Sequence, residues 1–137
     1  MANEIFVDTS GFYALVVKDD DKHAAAQRAM RDARRRKRLF VTTDYVLDET
    51  ATLLKARGFV HLLRPMFEIM DASQAFRIEW TDSERFHANQ AFFLKHADQA
   101  WSFTDCLSFL VMSELSLREA LTKDTHFQHA GYSVLLK

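Results

Sequence analysis

Four acidic residues occur at positions where the predicted strands and helices would bring their carboxylates close together. Asp8 ends the first predicted strand, and Asp124 follows the predicted strand 119–122 by two residues. The carboxyl ends of parallel strands open on one crevice, so both side chains can point into it. Glu49 lies at the margin of the core-facing stripe of a predicted helix, and Asp105 lies in the first turn of the most apolar helix. All four carboxylates are therefore candidates for one site.

Carboxylates brought together need a positive partner. Taken singly, each acid is typical of a turn or a helix cap, but two carboxylates about 4 Å apart repel by roughly 4 kcal/mol at an effective dielectric of about 20. Apart from Lys123, no lysine or arginine cluster lies near these positions, and no histidine spacing indicates zinc. An all-oxygen site suits Mg²⁺ or Mn²⁺. Such ions activate water and neutralise a phosphodiester, so we expect metal-dependent phosphodiester hydrolysis.

Composition excludes several other classes of protein. The chain has 137 residues, 48% hydrophobic and 27% charged, which predicts one globular domain spanning residues 1–137. Its three glycines are far apart, so a nucleotide-binding phosphate loop is excluded and no nucleotide cofactor is expected. A lone cysteine excludes an internal disulfide and a zinc ribbon, and no apolar run approaches the length of a membrane span. We expect a cytoplasmic protein with no membrane contact.

The elements that must position the four acids alternate along the chain. Short apolar strands are predicted at residues 4–8, 39–42, 76–80, 120–122 and 132–136. Helices are predicted after residue 8, over 20–37, from Thr43 or Asp44 to about 57, over 59–72 with a kink or break at Pro65, over 82–96 and from Thr104 onward. This alternation predicts an α/β sandwich around a mainly parallel sheet.

Four segments carry a family resemblance. They are Phe-Val-Asp-Thr-Ser at 6–10, Val-Thr-Thr-Asp-Tyr-Val-Leu-Asp-Glu-Thr at 41–50, Trp-Ser-Phe-Thr-Asp-Cys at 101–106 and Leu-Thr-Lys-Asp-Thr-His-Phe at 121–127. In order and spacing, this set resembles the motifs of PIN-domain ribonucleases, and within them the VapC-like toxins of toxin–antitoxin systems.

The resemblance implies a fold, an activity and roles for individual residues. The implied fold is a three-layer α/β/α sandwich with a short, mainly parallel central sheet, and the implied activity is endoribonuclease. By position, Asp8, Glu49, Asp105 and Asp124 would bind Mg²⁺ or Mn²⁺, while Ser10 and Thr104 would orient the acids or a water. The implied partners are an RNA substrate, a second copy of the chain in a homodimer, and a cognate antitoxin that places a basic side chain near the acids.

Three other functions stay open at this point. The chain could be a PIN-domain RNA-processing nuclease without an antitoxin, or a PIN-like module that binds RNA or a protein without catalysis. A receiver-type signalling domain also collects acids and Mg²⁺ at strand ends. It would need paired acids directly after the first strand, where this chain has only Asp8.

Several conspicuous residues are interpreted as structural. The basic run 34–38 is typical of a solvated helix end, with RNA contact as the alternative. His126 and His129 are interpreted as surface residues, although His126 could approach substrate. Cys106 is expected to be a small core residue. Trp80, Trp101 and the phenylalanines are expected in the core or a dimer interface.

Overall fold

A computed structural model describes residues 3–137, which form a five-stranded sheet with helices flanking it. Its strands, all parallel and in the spatial order β3-β2-β1-β4-β5, are β1 (Ile5–Val7), β2 (Phe40–Thr43), β3 (Phe76–Glu79), β4 (Glu119–Leu121) and β5 (Ser133–Val134). In the centre, Phe6 lies opposite both Val41 and Ala120. The central strand β1 is fully apolar, with the sequence Ile-Phe-Val, because both of its faces are covered.

Helices occupy every connection between consecutive strands, as parallel pairing requires. They are α1 (Thr9–Val16), α2 (His23–Arg35), α3 (Asp44–Ala56), α4 (Leu63–Ala72), α5 (Ser83–Lys95), α6 (Phe103–Glu114) and α7 (Thr125–His129). A 3-10 helix, Val60–Leu62, precedes α4. The predicted fold class, an α/β sandwich around a parallel sheet, is confirmed.

Some predicted boundaries were wrong for local reasons. The helix expected over 20–37 is α2 alone, and Lys37 after it adopts a positive φ of 57° that a helix does not allow. Pro65 does not kink its helix, because it lies in the first turn of α4, where a missing N–H costs nothing. Ser102, not Thr104, opens α6, with its hydroxyl accepting a hydrogen bond from the backbone N–H of Asp105. The last strand is shorter than 132–136.

The core is built from the central strands and α6. Phe6 and Leu121 are fully buried in the sheet, and Leu107, Val111 and Met112 are fully buried along α6. Cys106 is buried among them, as expected, and burial raises the pKa of its thiol to about 11. A thiol with so high a pKa is a core side chain and not a nucleophile. The apolar character of α6 therefore reflects its central position.

Membrane-crossing helices were searched for over residues 3–137. No helix in that range is both long enough and apolar enough to span a bilayer.

Candidate active site

The candidate site lies at the carboxyl edge of the sheet, beside β1 and β4. β1 has its sequence neighbour β2 on one side and β4 on the other, so the strand order reverses there. Open parallel sheets bind ligands at such a reversal, outside the carboxyl ends of the strands. Asp8 directly follows β1, and Thr122 and Asp124 follow β4. Topology thus brings together residues more than one hundred positions apart in the sequence.

Asp8 is the most buried acid of the site, with 4% of its surface exposed. Burial, followed by the negative charges of Asp105 and Asp124, raises the pKa of Asp8 to about 7. A hydrogen bond from the backbone N–H of Thr9 and one from the Thr122 hydroxyl act in the opposite direction. Near neutral pH, both the protonated and the ionised form of the Asp8 carboxyl are therefore populated.

A chain of hydroxyl groups orients the Asp8 carboxylate. Thr122, which is fully buried, donates from Oγ1 to Asp8 Oδ2 at 3.0 Å. Its one proton is used there, so the 2.9 Å contact between Ser10 Oγ and Thr122 Oγ1 has Ser10 as the donor. Ser10 Oγ accepts from the backbone N–H of Lys123, and Thr122 Oγ1 accepts from that of Asp124. Ser10 therefore contacts the acids through Thr122.

Asp105 and Asp124 are both held by helix caps. Asp105 Oδ2 accepts from the Ser102 backbone N–H at 3.1 Å in a reciprocal capping box, and the helix N-terminus favours its charge. Asp124 Oδ1 accepts from the backbone N–H of His126 at 2.9 Å, as the cap of α7. Within residues 3–137, Asp105 Oδ1 and Asp124 Oδ2 have no hydrogen-bond partner. Each carboxylate thus keeps one oxygen for a ligand.

His126, which the sequence interpretation placed at the surface and within reach of substrate, contacts two acids of the site. Its Nδ1 lies 3.2 Å from Asp105 Oδ2 and 3.5 Å from Asp124 Oδ1. Both His126 and His129 were expected at the surface. His129 is exposed there, whereas His126 is half-buried. The signal in the sequence was the position of His126, two residues after Asp124 at the start of a short helix.

Glu49 lies at the edge of this group and not inside it. It is exposed, whereas the sequence pattern had placed it at the margin of the core. The Thr9 hydroxyl donates to Glu49 Oε1 at 2.5 Å. Thr9 follows Asp8 directly, so α1 links Glu49 to the site while leaving this carboxylate in contact with solvent.

Thr104 is half-buried in the first turn of α6, next to Asp105. Within the described chain its hydroxyl has no hydrogen-bond partner, and its backbone carbonyl accepts from the Ser108 hydroxyl. Thr104 is therefore close to the site in the sequence, but no contact with an acid ties it there.

The charges of the site fit a divalent cation. Among residues 3–137, no lysine or arginine forms an ion pair with Asp8, Asp105 or Asp124, and Lys123 turns away to contact Asp20 and Asp21. In the same part of the chain, one group of three aspartate, glutamate, histidine or cysteine side chains has ligand atoms that all lie within 4.8 Å of one another. It consists of Asp105, Asp124 and His126. Asp8 and Glu49 are not in that group, but carboxylates without a lysine or arginine partner next to the buried Asp8 are the kind of donors that Mg²⁺ or Mn²⁺ uses.

The basic run 34–38 lies at the opposite edge of the sheet. Arg38 donates to the carbonyl of Asn3, which precedes β1, and to Glu119, the first residue of β4. Arg35 and Arg36 pair with Asp32 on α2. These contacts place the run at the amino ends of the strands, away from the acids. The interpretation of this run as a helix end is consistent with that position.

Comparison with known proteins gives a consistent family assignment. Residues 5–131 match the family model of the PIN domain. The chain is 30% identical over 128 residues to the 23S rRNA-specific endonuclease VapC20 of Mycobacterium tuberculosis, an alignment that covers 93% of this chain and 95% of that protein. The crystal structure of VapC20, a sarcin-ricin loop cleaving toxin, superposes with a TM-score of 0.81 at 29% identity, covering 94% of this chain and 96% of the other.

Two more distant structures share the fold. PAE2754 from Pyrobaculum aerophilum has a TM-score of 0.64 at 19% identity, with 98% of this chain and 92% of the other covered. FitAcB from Neisseria gonorrhoeae has a TM-score of 0.62 at 15% identity, with 95% of both chains covered. The parallel sheet, the acids at its carboxyl edge and the match over residues 5–131 lead to one conclusion: the chain belongs to the PIN domain family.

Proposed function

We propose that this protein is a metal-dependent endoribonuclease that hydrolyses phosphodiester bonds of RNA, and that it is the toxin of a toxin–antitoxin pair. The observation that carries the proposal is the buried Asp8 interacting electrostatically with Asp105 and Asp124, with no lysine or arginine among residues 3–137 paired to any of the three. Like charges around a buried carboxylate are costly unless a cation compensates them, and a bound divalent ion would do so here. Residues 1–137 are taken as a single PIN domain, acting in the cytoplasm on RNA.

The proposed roles follow the contacts of each side chain. Asp8, Asp105, Asp124 and Glu49 would hold Mg²⁺ or Mn²⁺ and would be the catalytic carboxylates. When bound, such an ion supplies charge neutralisation and Lewis-acid activation to phosphodiester hydrolysis. Thr122 fixes Asp8 by its hydrogen bond, Ser10 fixes Thr122, and Thr9 fixes Glu49. Thr104, which contacts none of the acids, would orient a water next to Asp105 from the first turn of α6.

The substrate class is proposed from VapC20. That relative is named as specific for 23S rRNA and matches this chain over nearly the full length of both. A structured ribosomal RNA loop is therefore the substrate we would test first. An antitoxin would inhibit by placing a basic side chain beside the acids, because an arginine can satisfy carboxylates that otherwise bind the cation.

A homodimer completes the proposal, and the apolar side chains on α5 are its candidate interface. Phe86, Phe93 and Leu94 are 40%, 36% and 67% exposed. Exposed apolar groups of this size on one helix are typical of a protein contact. Sedimentation of wild type and Leu94→Glu tests this, and a dimer that persists unchanged in the variant would exclude α5 as the interface.

Cleavage of ribosomal RNA by purified protein tests the activity. Wild type, Asp8→Asn and the matched control Asp48→Asn, an exposed acid on α3, would each be incubated with Mg²⁺, Mn²⁺ or excess EDTA, and the new 5′ ends would be mapped. We expect discrete, metal-dependent breaks with wild type and the control and none with Asp8→Asn. Cleavage by Asp8→Asn, or cleavage in EDTA, would contradict the proposal. RNA binding without cleavage would favour a non-catalytic module, and a nuclease that no antitoxin accompanies would be an RNA-processing enzyme.

A further inference from the structure

His126 is the one nitrogen donor among the oxygen donors of the site. Its Nδ1 is directed at both Asp105 and Asp124, at 3.2 and 3.5 Å from one oxygen of each. The four acids alone would describe an all-oxygen centre, and the sequence interpretation gave this histidine an approach to substrate but no role as a ligand.

The position of His126 is fixed from two sides. Its backbone N–H is bound to Asp124 Oδ1 at 2.9 Å. Its neighbour Phe127 is fully buried, with its ring centroid 4.9 Å from that of Phe109 on α6 and 6.2 Å from that of Phe6 on β1. Phe127 therefore anchors α7 against the same helix that carries Asp105. The imidazole itself is about one-third exposed, so an ion can reach it from the crevice.

The distances suit neighbouring ligands of one ion. In an octahedral site with bonds of about 2.1 Å, adjacent ligand atoms lie about 3.0 Å apart. The two contacts of Nδ1 are within a few tenths of an ångström of that separation. Each of the two carboxylate oxygens in these contacts accepts one backbone N–H in a helix cap and keeps a lone pair for the ion, so coordination would not require either cap to break.

We propose that His126 Nδ1 is a direct ligand of the divalent ion held by Asp105 and Asp124, and that this nitrogen makes the centre select Mn²⁺ over Mg²⁺. Imidazole suits transition-metal ions, whereas Mg²⁺ prefers oxygen ligands and water. In the ligand form the ring carries its proton on Nε2 and presents the lone pair of Nδ1 to the ion. The inference rests on the proposed function, because it assigns the metal of that same site.

Spectroscopy of bound Mn²⁺ tests the ligand without reference to catalysis. Electron spin echo modulation detects a ¹⁴N nucleus coordinated to Mn²⁺, and calorimetric titration measures affinity for Mn²⁺ and for Mg²⁺ separately. The proteins are wild type, His126→Ala, the size-conserving His126→Gln, and His129→Ala as the matched control on the same helix. Thermal denaturation without metal establishes that each variant folds.

We expect ¹⁴N modulation in wild type and in His129→Ala, and its loss in both His126 variants. We expect the Mn²⁺ affinity of the His126 variants to fall at least about tenfold, as for other groups that support metal sites, with a smaller fall for Mg²⁺. Modulation that persists without His126, its absence in wild type, or equal losses for both ions would overturn the inference.

The outcomes separate this inference from the proposed function. RNA cleavage by wild type with Mn²⁺ bound only by oxygen would leave the nuclease standing and overturn the role of His126. A ¹⁴N signal that depends on His126, in a protein that cleaves no RNA, would support the ligand and refute the nuclease. A wild type that binds neither ion would overturn both.

Discussion

Replacing Asp8 by asparagine measures how much the buried carboxylate lowers the free energy of unfolding, separately from its proposed role in binding a metal ion. Asn has nearly the same shape and can still accept from Thr122, but it carries no charge. The pKa of Asp8 rises from 3.8 to about 7 on folding, chiefly by burial. The perturbation therefore removes a group whose ionised form the fold disfavours.

The sign and size of the effect follow from that pKa. A carboxyl with a raised folded pKa contributes stability that is fully present below the unfolded value and is lost as the pH rises through the folded value. For Asp8 the window runs from about pH 4 to about pH 7. A shift of about 3 pKa units corresponds to roughly 4 kcal/mol at about 1.36 kcal/mol per unit, so above pH 7 the metal-free wild type is destabilised by that order.

Urea unfolding in EDTA, followed at pH 4, 6 and 8, measures the effect. At pH 8 we expect Asp8→Asn to be more stable than wild type by up to about 4 kcal/mol, and at pH 4 we expect the two to converge. Saturating Mn²⁺ should stabilise wild type by about 2.7 kcal/mol at one hundred times the dissociation constant, and should stabilise the variant less. Asp48→Asn, which removes an exposed acid, controls for net charge.

The result that would refute this reasoning is equal stability of wild type and Asp8→Asn at pH 8 in EDTA. A gap that does not shrink toward pH 4 would also refute it, because the difference would then not come from ionisation of Asp8.

Three further perturbations test the arrangement around the site. Thr122→Val should lower the free energy of unfolding by about 1–3 kcal/mol and reduce cleavage, because Asp8 and the backbone N–H of Asp124 lose their hydrogen-bond partner. Thr122→Ser, which keeps the hydroxyl, should retain both stability and cleavage. Urea unfolding and an RNA cleavage assay measure these effects, and a fully active Thr122→Val variant would contradict the prediction. Gly11→Ala should destabilise the fold by more than about 3 kcal/mol, because a Cβ there would lie 2.0 Å from the Leu121 carbonyl oxygen; an unchanged melting temperature would show that α1 can move away from β4. Arg34→Glu with Arg35→Glu should leave the affinity for a short RNA and its salt dependence unchanged, since these residues lie at the far edge of the sheet; a reduced salt slope in a binding titration would show that they contact phosphate.

The strand and helix pattern was largely readable from local sequence. Apolar runs with an acid at the end, such as the one before Asp8, have the signature of a strand buried on both faces, and the alternation with helices predicts parallel pairing. The errors were local. Pro65 is harmless because it lies in the first turn of α4, and the sequence pattern did not show that a 3-10 helix ends and α4 begins at Leu63.

The acids of the site were also predictable, because residue type and element position are both visible in the sequence. Asp8 and Asp124 follow parallel strands, and Asp105 is in the first turn of a central helix. The sequence pattern does not show which polar side chains from different elements contact one another. Thr122 looks like any threonine after a strand, yet its hydroxyl contacts Asp8, Ser10 and the backbone of Asp124.

The sequence by itself thus determined the fold class, the family and three acids at the carboxyl edge of the sheet, since these depend on periodicity and on residue type. Only the tertiary structure decided that Glu49 is exposed, that Lys123 turns away from Asp124, and that His126 faces Asp105. The physical reason is that these contacts join residues from different elements. The distance between His126 and Asp105, for example, depends on how α6 and α7 pack around Phe127, which no local propensity specifies.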